Sequence, residues 1–388
     1  MGLYVSKLKL FNWKNFHECE LNLTKRCFII GANASGKSNL LDALRFLRDI
    51  AKQGGGLQSA VEQRGGVTKI RCLAARQRTD ISIETELRDI ETEVLCWTYC
   101  LKIKNVGGGI MKNQAAVLEE KVYDHQRGEA VVERTAKSEE EDGETLKYTY
   151  LEQTTANKEF RVLRDTFSEI EYLNVVPQLV RESGSVVLTS GKDDYYGRNF
   201  LNRLSLLPER TRKSYLRKIN DVLRKVVPQM DELSFVRDEM GVPHIEARYK
   251  HWRDKGSKQN EVAFSDGTLR LIGFLFAMLD GNGVILLEEP EINLNSGVVE
   301  QLPEFIARMQ RSKKRQVLVT THSYDMLSSV GIGTAEVAVL ETSTEGTKVS
   351  PLSEIPSLQA AVDAGFSIAD AAMPAIKPST AGEMNTQL

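Results

Sequence analysis

The spacing of apolar side chains along the chain changes period several times. Leu8 and Leu10 alternate with polar neighbours, as do Leu21 and Leu23, and residues 27–30 form a short, fully apolar run. Alternation with period two predicts half-buried strands, and a short unbroken run fits a strand buried on both faces, so residues 1–30 read as strands. Leu40, Leu41, Leu44 and Leu47 then recur at helical spacing, and the glycines at 54–56 end that helix. Residues 67–153 read as antiparallel hairpins. Ile81, Ile83, Thr85 and Leu87 alternate, residues 94–103 are rich in aromatic and β-branched types, Gly107, Gly108 and Gly109 make a turn before Ile110, and Tyr148 and Tyr150 close the series. The acidic run at 137–144 (KSEEEDGE) is either a solvated loop or a docking site.

From about residue 160 to 230 the period becomes helical. Pro208 and Glu209 open a helix with Leu216, Ile219, Leu223 and Val226 on one face, and it stops before Pro228. Short strands follow at 233–236 and 244–249. Beyond Val262, a helix at 267–280, a strand at 284–287, a helix near 296–311 and a strand at 317–320 predict a parallel sheet wrapped by helices. The tail from Pro351, rich in Ala, Ser and Pro, is a short helical appendage or partly disordered. There is no internal repeat and no sustained heptad.

Composition narrows the class. A length of 388 residues gives two or three compact units at roughly 150 residues each. With 51 basic and 53 acidic residues the net charge is −2, which excludes a uniformly basic nucleic-acid surface but leaves room for a local basic groove. A 41% hydrophobic and 27% charged chain is expected to fold. The longest apolar stretch, 271–279, falls short of the roughly 20 residues a membrane span needs. The opening MGLYVSKLKLFNWKNF has no leader-like apolar core, so a cytoplasmic location is expected. Five scattered cysteines without a C-x-x-C pair or nearby histidines predict reduced, buried thiols rather than zinc ligands.

Four segments carry candidate chemistry. Residues 31–38 (GANASGKS) satisfy G-x-x-x-x-G-K-[ST] between an apolar strand and a helix. Such a loop aims backbone N–H groups and the helix dipole at phosphate oxygens. Lys37 would neutralise the β/γ-phosphates of ATP, and the Ser38 hydroxyl would ligate Mg²⁺. A second apolar strand ends in Glu288 and Glu289, placing one carboxylate to hold the metal and the other to act as general base. The loop holding Ser265 and Gly267 opens a helix and forms a further anion site or an ordinary helix start. His322 follows a third strand and is either a γ-phosphate contact or structural.

The order of P-loop, long insertion, SDGT, LLEEPE and TTHS, with an opening LKLFNWKNF, resembles the RecF/SMC-type branch of the ABC ATPases, especially its compact RecF-like and OLD-like bacterial members. The resemblance covers residues 1–50 and 260–345 well and the middle loosely. It implies an α/β P-loop NTPase head with mixed and parallel sheets, an antiparallel hairpin lobe and a helical insertion. The units would be 1–160, 161–259, 260–350 and a tail at 351–388. It also implies that Gly31, Asn33, Ser35, Gly36, Lys37, Ser38 and Asn39 bind the nucleotide, with Lys14 and Asn15 touching it. Ser265 and Gly267 become a signature that reaches a second copy's ATP, His322 the switch histidine, and residues 293–296 the D-loop. Gln178 takes the Q-loop place beside the metal, with Ser38 and Glu288. Glu288 stands where aspartate is usual.

These implications lead to a homodimeric or larger ATPase that senses or clamps DNA. It would control a companion effector, a nuclease in trans, as in anti-phage systems. No nuclease constellation stands out in the chain itself. A nucleotide-gated scaffold with little hydrolysis, or a RecF-like repair ATPase, are the alternatives. A transporter motor would carry an LSGGQ-type signature, and SDGT is not one. The basic runs at 210–217, 250–258 and 311–315 are solvated helix faces or phosphate contacts.

Overall fold

The computed structural model describes residues 2–76, 78–106, 114–136, 143–182, 195–250 and 257–376. The predicted turn at 107–109, most of the acidic run at 137–144, most of the basic run at 250–258 and the end of the tail lie outside the described residues.

Three strands open the chain, β1 (Leu3–Trp13), β2 (Phe16–Asn22) and β3 (Arg26–Gly31), followed by helices α1 (Lys37–Ala51), α2 (Leu57–Glu62) and α3 (Val67–Ile70). A meander of β4 (Ile81–Asp89), β5 (Leu95–Asn105), β6 (Ala115–Asp124) and β7 (Glu129–Thr135) comes next. The middle holds α4 (Arg161–Ser168), β8 (Glu171–Leu173), α5 (Pro177–Arg181), α6 (Phe200–Leu206), α7 (Glu209–Val226), β9 (Met230–Arg237), β10 (Pro243–Tyr249) and β11 (Ser257–Asn260). After it run α8 (Asp266–Leu279), β12 (Ile285–Glu288), α9 (Ser296–Val299), α10 (Leu302–Lys313), β13 (Val317–Thr321) and α11 (Tyr324–Leu327). The chain continues with β14 (Val337–Ser343), β15 (Gly346–Pro351), α12 (Pro356–Asp363) and α13 (Ile368–Ile376).

The strands make an antiparallel sheet ordered β2-β1-β4-β5-β6-β7, a small sheet β11-β10-β9, and a central sheet β15-β14-β3-β13-β12-β8. In the central sheet β14, β3, β13, β12 and β8 are parallel and β15 closes one edge antiparallel. The inner strands β3, β13 and β12 are buried along most of their length because both faces are covered, whereas the edge strand β15 is largely polar and partly exposed. Cys27 and Ile29 of β3 face a core shared with Leu40, Leu44 and Leu47 of α1 and with the antiparallel sheet. Phe28 and Ile30, pointing the other way, join a second core with Leu269, Ile272 and Phe276 of α8. The two-residue period of one strand thus holds two cores together. Gln316 bridges the sheets: its side chain accepts from Val5 N–H (3.0 Å) and donates to the Val5 and Thr24 carbonyls (2.7 and 2.9 Å).

Several expectations need correction. Tyr148 and Tyr150 are not strand residues. A 3₁₀ turn at Thr145–Lys147 precedes them, and the Tyr150 N–H donates to buried Glu120 at 2.7 Å, so the segment docks onto the sheet rather than extending it. The helix expected near 296–311 is two, α9 and α10, because Pro303 lacks an N–H and is tolerated only in a first turn. The helical middle also contains β8, which pairs with the edge of β12. In the basic run at 311–315, Arg315 is fully buried. It donates to the Ala277 and Asp280 carbonyls at the end of α8 (3.0 and 2.8 Å) and pairs with Glu171 at 3.3 Å, so it serves the fold. The tail resolves into α12 and α13, which packs on α11. All five cysteines are free, four of them buried, and burial pushes the Cys19 and Cys27 thiols up to about 12.

Candidate nucleotide site

The site lies at the C-terminal ends of the central parallel strands, where loops from β3, β12 and β13 converge. From β3 the chain turns through residues 32–36 into α1, with Ala34 and Gly36 in the left-handed region (φ 62° and 101°). Gly36 is required twice over. Besides its φ, a Cβ there would fall 2.0 Å from Asn15 Nδ2.

A clasp explains that close approach. Asn15 Nδ2 donates to the Ser35 carbonyl (2.9 Å) and to Thr347 Oγ1 (2.6 Å), and its Oδ1 accepts from Asn39 Nδ2 (2.8 Å). Thr347 Oγ1 in turn donates to the Ser35 carbonyl (2.9 Å), and Trp13 Nε1 donates to the Asn39 carbonyl (2.8 Å). The turn between β1 and β2, the start of α1 and the edge strand β15 therefore hold the loop from outside. At about 1 kcal/mol per buried hydrogen bond, this clasp is a substantial local stabilisation.

Inside the loop, Lys37 Nζ donates to the Gly31 and Ala32 carbonyls (2.9 and 3.2 Å). Burial pulls this amine below its ordinary range, against the opposing charges of Glu289, Glu288 and Glu291. Ser38 Oγ, one residue on, donates to Glu288 Oε1. A hydroxyl and a carboxylate converging at one point are the hard oxygen donors that suit Mg²⁺, so this pair fits the metal that the motif implies.

Glu289 follows β12 at φ 43°, a strained value for a residue with a Cβ. Its N–H donates to the Thr320 carbonyl (3.0 Å), continuing the pairing of β12 with β13, and its carboxylate meets His322 Nδ1 at 2.9 Å. Beside them Glu291 is almost fully buried. Burial pushes its carboxyl up, and Thr321 Oγ1 donates to one oxygen while the other has no partner among the described residues.

The signature candidates sit apart from this group. Ser265 caps α8, accepting from Thr268 N–H (3.2 Å) and sharing a hydrogen bond with the Thr268 hydroxyl (2.8 Å). A Cβ on Gly267 would lie 2.3 Å from the Asn293 carbonyl, so a glycine lets the expected D-loop pack on the helix start. Asp266 between them is held by Arg181 of α5 (2.6 Å). Gln178, also on α5, reaches Asp266 at 3.5 Å. The structure brings it to the signature loop and not to Ser38 and Glu288. Lys14 pairs with Asp42 (2.6 Å) in the wall of a cavity of about 1000 Å³ that also includes Asn15, Asn39 and Arg64. Asn33 and His322 line a second cavity of about 620 Å³ on the other flank, with α13 as its far wall.

Sequence reasoning missed Thr347, Asp42 and Glu291. Glu291 stood in view in the run EEPE, whereas a threonine on an edge strand and an aspartate inside a helix carry no signal of their own.

A family model described as "AAA domain, putative AbiEii toxin, Type IV TA system" matches residues 27–328. The chain belongs to that family. A second model, "P-loop containing region of AAA domain", matches residues 5–48 of this AAA-domain protein. A stretch of 120 residues is 28% identical to "DNA replication and repair protein RecF" of Gloeobacter violaceus, covering 27% of this chain and 32% of that protein, about a third of its length. Among solved structures, the Smc head bound to the C-winged helix domain of ScpA superposes with a TM-score of 0.58 at 15% identity, over 89% of this chain and 97% of that one. The Smc head with an extended coiled coil from Pyrococcus furiosus gives 0.51 at 14%, over 93% and 100%. The AAA-domain protein thus carries a P-loop region and has the fold of an Smc head. Among the described residues, no helix is long and apolar enough to cross a membrane.

Proposed function

We propose that the protein binds and hydrolyses ATP between the P-loop of one copy and the signature of a second, and that this cycle governs DNA sensing or clamping and a companion effector. The observation that carries this reading is the convergence of Ser38 with Glu288 and of Glu289 with His322 at the mouth of the loop that holds Lys37. Ser38 and Glu288 would hold Mg²⁺, which when bound neutralises charge on the β/γ-phosphates. Lys37 exchanges its two loop carbonyls for phosphate oxygens, which a buried cation prefers. Glu289 accepts the proton of the attacking water at its free carboxylate oxygen, and His322 orients that carboxylate from the other.

Ser265 bonds within its own helix start, Gly267 packs on Asn293 and Asp266 pairs with Arg181, and among the described residues no hydrogen bond joins them to the P-loop, which leaves them for a second copy. The effector is proposed to act in trans, as a nuclease in anti-phage defence. The likeness to a DNA replication and repair protein, RecF, favours DNA as the sensed ligand. Light scattering with and without ATP, run beside a steady-state ATPase assay, tests the reading. Turnover together with ATP-dependent dimers supports it. ATP binding and dimers without turnover would instead favour the nucleotide-gated scaffold, for which Glu288 in the usual aspartate position is the supporting feature.

A further inference from the structure

On the side of α8 away from the P-loop, α7 and α10 flank that helix and leave a groove of about 580 Å³, which Asn295, Gly297 and Val298 close at the end next to the expected D-loop. Leu271 and Leu275 of α8 form its floor and are almost fully buried. Val222 and Val226 of α7 and Phe305 of α10 form partly exposed apolar walls. The rim is cationic. Lys225 and Arg308 line the groove, and Lys218 lies close enough to Lys313 to disfavour its charge, beyond what burial already does. On α7, seven basic residues face two acidic ones, and on α10 three face one. Among the described residues, Lys218, Lys225, Arg308 and Arg311 make no ion pair. On α7, Lys218, Val222 and Lys225 are spaced four and three apart, so charge and apolar surface share one helical face.

We infer that this groove docks an acidic, amphipathic helix of a protein partner. An apolar trough edged by one sign of charge matches the helix-in-groove mode, in which apolar anchors set the fit and complementary charges set orientation and on-rate. A nucleic acid would use the cations but has no side chains to fill the trough. A second copy related by a two-fold axis would set like-charged rims against each other. The chain's own acidic run at 137–144 has no large apolar side chain to enter the groove. The groove borders the expected D-loop through Asn295, but its test uses a single chain and no ATP, so the inference and the nucleotide reading can fail separately.

The probe is a labelled synthetic peptide of about 18 residues, long enough to form a helix, with Leu at i, i+3, i+4 and i+7 and Glu on the flanks. Fluorescence anisotropy against the full chain should show binding in the micromolar range. K225E/R308E, which alters exposed side chains only, should weaken it about tenfold or more. The same variant should bind a Lys-for-Glu version of the peptide better than the unmodified chain does. V222A/F305A should also weaken the acidic peptide. Absence of binding overturns the inference, as does equal binding of a scrambled peptide of the same composition. So does an oligothymidylate whose binding, unlike the peptide's, depends on Lys225 and Arg308.

Discussion

The two halves of the proposed nucleotide site are built differently. On the P-loop side every element is tied to another: the loop to Asn15, Thr347 and Asn39, Ser38 to Glu288, Glu289 to His322. On the signature side, Ser265 and Gly267 are fixed locally, by their own helix, by Asn293 and through Arg181 to Asp266. None of these contacts reaches the P-loop. One half is assembled within a single chain and the other is displayed, which is the layout expected of a site completed by association.

That contrast can be broken at either half. The largest effect is expected from Lys37→Ala, which removes the buried cation. Filter binding with radiolabelled ATP should show affinity reduced by roughly 100-fold or more. Glu289→Gln should leave ATP binding near normal while lowering kcat by about 10²–10⁴-fold, and single-turnover kinetics separates the two. Asn15→Ala deletes three hydrogen bonds of the clasp. It should cost about 2–3 kcal/mol locally, seen as a raised KM for ATP and a lower Tm.

On the displayed half, Gly267→Ala pushes a Cβ against the Asn293 carbonyl, displacing the D-loop by the order of 1 kcal/mol. It should lower turnover about tenfold while ATP binding to the single chain is unchanged.

The smallest effect is a pH dependence on the approach to the signature. His244 of β10 contacts Glu261, just upstream of Ser265, at 2.6 Å and Asp238 at 3.6 Å. Burial alone would lower the pKa of this imidazole, but the Glu261 hydrogen bond and the two carboxylate charges outweigh burial and raise it above 6.5. The folded state then binds more protons than the unfolded one in that window, so this contribution to stability is complete below about pH 6.5 and fades as pH rises through the folded value. Tm measured across that range should fall more steeply for the unmodified chain than for His244→Gln.

Much of this was legible in the sequence because two periodicities and one motif dominate. The run at 27–30, the glycines of the loop and the leucines of α1 report strand, turn and helix in order, since each is dictated by local chemistry. Glu288, Glu289 and His322 were visible because they end apolar strands, where a parallel sheet concentrates its ligands. What escaped depends on distance along the chain. Thr347 meets Ser35 across more than three hundred residues, and nothing near it in sequence announces that meeting. Gln178 was placed by analogy beside the metal, but a short helix and Arg181 bring it to Asp266 instead. Pro303 was in plain sight, and its break of the expected helix follows from its missing N–H alone.

The central claim is that the P-loop of one copy and the signature of another make one working site. Mixing Lys37→Ala chains with Ser265→Arg chains tests it most directly, because each is inactive alone and a mixed pair contains one intact composite site. The account predicts that ATPase activity absent from either preparation appears on mixing. An inactive mixture whose mixed dimers are shown to form, or full activity of the Ser265→Arg chain by itself, would contradict it.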